Sequence, residues 1–250
     1  MIRELDDPKG GERLSERFDI PTGRTIAGKY QVNSLLGVGW EGEVYLVEEL
    51  QTGIERAAKF FYPERNVKNR RANNFAKKLH RNRHHHILVQ YLHQERVKLQ
   101  GHDVTCLVSE FIEGQILTDY IKNRDNSLES YEALSILWEI CSGLEPVHQA
   151  GEYHGDLHTD NILIRRQGIH FHIKLIDSFD WKDSRSKNVR QDVVDLVRVL
   201  YDMVGGRDRY SEVGPEIKGI CCGLKTSLIN KKFKNAGQLR SHLDSFLWEY

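Results

Sequence analysis

The sequence predicts an α+β protein of two lobes, a β-rich first half followed by a helical second half. Two patterns carry that reading. Between residues 30 and 62, short β-branched and aromatic runs (Tyr30–Leu36, Val44–Val47, Ala57–Tyr62) are broken by glycine, and Thr52-Gly53 suits a hairpin turn. Over 129–149, by contrast, Leu134, Leu137, Trp138, Cys141, Leu144 and Val147 recur at spacings of three and four, the stripe of an amphipathic helix. The join is expected near Glu113-Gly114. This gives a polar lead-in over 1–28, a β-rich lobe over 29–112 and a helical lobe over 113–250.

The remaining elements follow from local pattern. Residues 68–83 read as a helix with a thin apolar stripe (Ala72, Phe75, Ala76, Leu79), and Ile87–Leu92 and Val104–Ile112 read as strands. Short strands are expected at 162–165 and 170–176. Helices are expected at 190–204, about 213–226 and 235–248.

Composition excludes several classes. The chain has 250 residues, with 36 basic and 36 acidic side chains, so net charge draws it to neither nucleic acid nor membrane. No apolar run approaches the ~18 residues of a membrane span, and the charged N-terminus lacks the apolar centre of a signal peptide. Cys106, Cys141, Cys221 and Cys222 show no CxxC spacing and read as reduced thiols. A cytoplasmic protein is expected. The histidines at 84–86 and at 154 and 158 offer no four-ligand zinc spacing.

Chemistry concentrates at His154-Gly155-Asp156-Leu157-His158-Thr159-Asp160-Asn161 and at Asp177, which ends a strand-like run. An aspartate, an asparagine five residues later and a second aspartate beyond a short hairpin suit phosphoryl transfer. Asp156 would orient an attacking hydroxyl, and Asn161 and Asp177 would hold magnesium through oxygen donors. Upstream, Gly37, Gly39 and Gly42 form G-x-G-x-x-G-x-V between two strand-like runs, where backbone N–H groups can approach phosphate. Alone that motif is weak, since a hairpin turn has the same glycines. Seventeen residues past Gly42, Lys59 sits among apolar neighbours.

These motifs, in this order, resemble the eukaryotic-like protein kinases from about residue 30 to the C-terminus. The resemblance implies an ATP- and Mg2+-dependent phosphotransferase, with a protein substrate or a dedicated partner. Lys59 matches the lysine of V-A-I-K and would contact the α/β-phosphates. Asp156 and Asn161 match the catalytic loop, and Asp177 matches the aspartate of D-F-G. Leu36, Val44, Ala57 and Leu163 would sandwich adenine between the lobes, and Ser109 to Gly114, with Glu110 and Ile112, would form the hinge. Asp192 matches the aspartate that opens the long central helix.

The pattern also breaks. Aligning His84-His85-His86-Ile87 with the family's H-P-N-I places Phe75 where a helix glutamate should pair Lys59, and no acidic residue lies between Glu64 and Glu95. The stretch 65–83 is strongly basic instead, a solvated face or a docking surface for an acidic partner or nucleic acid. Gly155 replaces the arginine of H-R-D. His158 stands where protein kinases place a lysine that contacts the transferring phosphate. Only fourteen residues separate Asp177 from Asp192, and no A-P-E is present. Little sequence is left near 205–212 for the helix that helps dock protein substrates. The catalytic loop also resembles that of aminoglycoside and choline kinase relatives. A Ser/Thr-type protein kinase is therefore the leading expectation, with a nucleotide-binding pseudokinase and a small-molecule kinase as alternatives.

Overall fold

The computed structural model describes residues 17–181 and 183–246; the first sixteen residues of the expected lead-in lie outside that range. The chain divides into two compact units. One contains the residues up to Arg81 together with Gln90–Ile112, and the other contains Asn82–Val89 and everything from Glu113 onward.

The first unit is an antiparallel sheet. Its strands are β1 (Thr25–Ile26), β2 (Tyr30–Gly39), β3 (Gly42–Glu49), β4 (Glu55–Phe61), β5 (Tyr91–Leu99) and β6 (His102–Glu110), in the order β1-β2-β3-β4-β6-β5. Helix α1 (Arg70–Arg81) lies between β4 and β5 in sequence. The period of two sorts the side chains. Tyr45, Val47, Ala58 and Phe60 enter one core with Val32, Cys106 and Val108. Val44 pairs with Lys59, and Leu46 with Ala57, so these residues share the opposite face.

The lead-in is tied to this unit from residue 17 onward. Phe18 and Ile20 are buried in the same core. Glu43, fully buried on β3, accepts from the Phe18 N–H at 2.8 Å, the Tyr62 hydroxyl at 2.9 Å and the Tyr45 hydroxyl. A buried carboxylate needs such donors, and here they come from three separate stretches of chain.

One strand expectation is corrected. Ile87–Leu92 is not a strand: β5 begins at Tyr91, and Ile87 and Leu88 instead pack in the core of the second unit. The apolar run signalled burial, which periodicity could not assign to sheet or to helix packing. The real strand is polar (His93, Gln94, Glu95, Arg96, Lys98) and lies at the sheet edge, where charge discourages further pairing.

The second unit begins with β7 (Gln115–Ile116), α2 (Leu117–Lys122) and α3 (Ser130–Gln149). The hairpin β8 (Ile162–Gln167) and β9 (His170–Leu175) follows, and β7-β8-β9 form a small sheet. Next come α4 (Arg185–Met203), α5 (Gly206–Arg209), α6 (Pro215–Cys221), α7 (Thr226–Lys232) and α8 (Ala236–Asp244). The stripe of α3 packs with Val193, Val194, Leu196 and Val197 of α4 in one core.

Three boundaries differ from expectation. Helix α4 starts five residues before 190, because Ser184 caps it by accepting from the Lys187 N–H. Asp192 therefore lies within α4 rather than at its opening. The helix expected over 213–226 is broken after Cys221, where Cys222, Gly223 and Leu224 all have positive φ. Between α4 and α6 the chain makes a single helical turn, α5.

Candidate active site

On the second unit, the catalytic-loop residues are set by one buried carboxylate. Asp192 accepts from the His154 N–H at 2.6 Å and the Gly155 N–H at 2.8 Å. His148 Nε2 lies 3.1 Å from the same carboxylate, while its Nδ1 accepts from the Ala236 N–H at 3.0 Å. An Nδ1 that accepts carries no proton, so His148 is neutral and donates Nε2–H to Asp192. Helix α4 thus holds the backbone that precedes Asp156.

His154 ties the loop to the segment after Asp177. Its Nδ1 accepts from the Asp156 N–H at 3.3 Å, and its Nε2–H donates to the Ile176 carbonyl at 2.9 Å. The Phe179 N–H donates to the His154 carbonyl at 3.0 Å. The Ile176 N–H donates to the Asn161 carbonyl at 3.0 Å, so Asn161 and the residue before Asp177 are joined through backbone. Asp177 itself has φ 53, a left-handed conformation that few non-glycine residues adopt. Strain of this kind gathers at functional sites.

Around the proposed base, Asn161 Nδ2 lies 2.9 Å from the Asp156 carbonyl and 3.2 Å from its carboxylate. His158 Nε2 lies 3.8 Å from Asp156 Oδ2, and its Nδ1 lies 3.8 Å from Asp160 Oδ2. Burial by itself would raise the Asp156 pKa, but the neighbouring His158, His154 and Asn161 outweigh it and hold the carboxyl below its usual range. Burial opposes charge on His158 too. Asp156, Asp160 and Asp177 overcome that cost and raise the imidazole pKa. Asn161 Nδ2 also lies 2.8 Å from His158 Nε2, so that ring nitrogen faces both the amide and the Asp156 carboxylate.

The short segment after Asp177 is folded back rather than open. Tyr153 Oη donates to Asp180 at 2.9 Å and accepts from the Trp181 N–H at 3.0 Å. Trp181 Nε1 donates to the Gly155 carbonyl, and its ring lies 4.6 Å from that of Phe179. Gly155 has φ 90. The glycine that sequence reading treated as a lost arginine thus has a local steric role as well.

On the first unit, the glycine-rich stretch is a tight hairpin. Pairing between β2 and β3 continues to Gly39 opposite Gly42, leaving only Trp40 and Glu41 in the turn. A Cβ on Gly42 would meet the Phe60 carbonyl oxygen at 1.9 Å, so this glycine is required by contact with β4. Gly37 has open space around it, and Leu36 is exposed. Val44, Ala57 and Lys59 share one face, as noted. At the end of β6, the Glu110 N–H donates to the Gln90 carbonyl and its carboxylate accepts from the Gln90 N–H, while Ile112 follows the strand. Leu163 pairs with Ile116 and Lys174, between the buried Ile162 and Ile164.

Lys59 Nζ lies 3.3 Å from Glu41 Oε2 and 5.2 Å from the centre of the Phe75 ring. Sequence reading missed Glu41, Tyr153 and Trp181. The signal for Glu41 was present, an acid in the glycine-rich turn of a chain whose following helix has none.

The family model for the protein kinase domain matches residues 30–195. The chain belongs to the protein kinase family. Among curated relatives, it is 33% identical over 159 residues to the serine/threonine-protein kinase PrkC of Bacillus subtilis (strain 168), covering 62% of this chain and 23% of that protein. It is 28% identical over 161 residues to the serine/threonine-protein kinase pkn2 of Myxococcus xanthus, covering 63% of this chain and 18% of that one. The chain thus spans less than a quarter of the length of these two relatives. A crystal structure of the Mycobacterium tuberculosis PknI kinase domain superposes with a TM-score of 0.65 at 19% identity, covering 90% of this chain and 98% of that one. The fold is the protein kinase fold, α+β with a β-rich first part and a helical second part. Among the described residues, no helix is long and apolar enough to cross a membrane.

Proposed function

We propose that this kinase domain transfers the γ-phosphate of ATP to a serine or threonine hydroxyl of a protein. The observation that carries the reading is the catalytic loop, in which Asp156 and Asn161 are hydrogen-bonded to each other and the preceding backbone is clamped by buried Asp192. Asp156, held as a carboxylate, orients the acceptor hydroxyl and takes its proton. His158, at the position where the family places a lysine that contacts the transferring phosphate, would face the developing phosphate charge. Asn161 and Asp177 would hold magnesium through oxygen donors of the kind it prefers, and the ion would neutralise phosphate charge. On the first unit, Lys59 contacts the α/β-phosphates, and Leu36, Val44 and Ala57 hold adenine, with the Glu110–Ile112 backbone beside it. Gly37 and Gly39 let the hairpin backbone approach the phosphates.

Activation by phosphorylation of a long loop does not fit this chain. The segment after Asp177 is short, and Gly155 leaves no arginine to receive a phosphate. An acidic partner at 65–83 is the lesser reading, because Lys78 is buried and Arg65 and Arg71 are turned onto Trp40.

The test is a radiolabelled-ATP assay on the wild type beside Lys59→Ala and Asp177→Ala. Label transferred to protein by the wild type, and lost in Asp177→Ala, supports the proposal. The pseudokinase reading is favoured by one observation, the Phe75 ring standing where the family's helix carboxylate would be. Nucleotide binding without transfer would select it, and label on a metabolite alone would select a small-molecule kinase.

A further inference from the structure

A lysine that must meet phosphates has to be held in place, and Lys59 is largely enclosed, with its side chain 13% exposed. A buried ammonium without a counter-charge is costly. Helix α1 offers no carboxylate. Its Phe75 instead presents a ring to Nζ, and the centre of the Phe61 ring lies 5.5 Å from the same atom.

The carboxylate arrives from the hairpin. Glu41 Oε2 is 3.3 Å from Lys59 Nζ, and Oε1 of the same group is 2.7 Å from Arg71 Nη1 on α1. Four local features bring Glu41 there. The two-residue turn places it at the tip, and Gly42 lets β3 lie directly on the Phe60 carbonyl. The Glu41 carbonyl then accepts from the Tyr62 N–H at 3.0 Å. Finally, the Trp40 ring is held between Arg65 at 4.4 Å and Arg71 at 4.5 Å. Two arginines of the basic stretch therefore clamp the turn, and one of them also orients its carboxylate.

We propose that Glu41 is the positioning residue for Lys59, supplying from the hairpin turn the counter-charge that α1 lacks, with Arg71 fixing its orientation. The proposal rests on the nucleotide-binding part of the function above. It couples the placement of Lys59 to the seating of the hairpin, so that residues 65 and 71 act on nucleotide affinity through Trp40 and Glu41.

The experiment compares wild type, Glu41→Gln, Glu41→Gln/Phe75→Glu and Glu41→Gln/Phe75→Gln. Each is measured for the Kd of Mg-ATP by calorimetry, for γ-phosphate transfer, and for Tm. Glu41→Gln is expected to weaken Mg-ATP by about tenfold, the size of a lost charge-assisted contact, and to lower Tm, because the enclosed ammonium loses a counter-charge. Phe75→Glu in that background should restore most of the affinity by returning a carboxylate from α1, whereas Phe75→Gln should not. Tighter ATP binding in Glu41→Gln would overturn the proposal, since Glu41 would then compete with phosphate for Lys59. Equal Kd in the two double variants would also overturn it. If the wild type binds Mg-ATP but transfers nothing, the phosphotransfer reading fails, while the Kd series still decides this one.

Discussion

A Cβ placed on Gly155 would stand 2.4 Å from the carbonyl oxygen of Phe179, and Gly155 already has φ 90. The folded-back segment after Asp177 and the missing arginine of the catalytic loop are thus two sides of one contact. Gly155→Ala is expected to cost about 2 kcal/mol or more, from left-handed strain together with displacement of Phe179. Urea unfolding checks this, and a loss below half that value would mean the segment moves aside freely.

Asp192 holds two backbone N–H groups and His148 while fully buried. Asp192→Ala leaves three buried donors without their acceptor, so stability should fall by at least about 3 kcal/mol. Transfer activity should fall as well, because Asp156 loses its backbone support. A variant that unfolds at the wild-type urea midpoint would contradict the anchoring role.

His158 is expected to give the proposed reaction an alkaline limb. Its pKa is raised, so the imidazolium persists above the ordinary histidine range and is lost as pH rises through the raised value. Asp156, held low, stays ionised below the ordinary carboxylate range, and the acidic limb should be displaced downward. In pH profiles of kcat/KM, His158→Lys should move the alkaline limb upward, since lysine keeps its charge longer. His158→Gln should remove that limb and run about 10- to 100-fold slower. An unchanged alkaline limb in His158→Lys would assign it to another group.

Asp195 carries a stability cost at neutral pH. Burial, reinforced by the charge of Asp192, pushes its pKa up to about 6 despite contacts with Gln191 and Arg198. The folded state therefore binds its proton more tightly than the unfolded chain does. That stabilising contribution is complete below the unfolded pKa and is lost as pH rises through about 6. Asp195→Asn should then raise stability by about 1–2 kcal/mol at pH 7 and change little near pH 3. Thermal unfolding at the two pH values distinguishes this from a simple loss of the Arg198 contact, which would lower Tm at pH 7.

Much of the fold was legible because its signals are local. The stripe of α3 and the glycine-broken runs of β2 to β4 are periodic, and period reports which face is buried. Ile87–Leu92 misled because a short apolar run records burial without saying what covers it. The early start of α4 depended on one capping serine, Ser184, whose role appears only with its bond to the Lys187 N–H.

From the sequence come the family and a set of candidate residues for the chemistry, Asp156, Asn161, Asp177, Lys59 and the three glycines, because short motifs are read along the chain. It also determined that α1 holds no acid. Only the tertiary structure decided what stands in that acid's place. Glu41 reaches Lys59 across eighteen positions of sequence because β3 and β4 pair in register, and Arg71 reaches Glu41 from a helix thirty positions away. Likewise, Gly155 met Phe179 only when the chain folded back. Ion pairs and steric contacts of this kind depend on where separate elements dock, and no spacing along the chain encodes that.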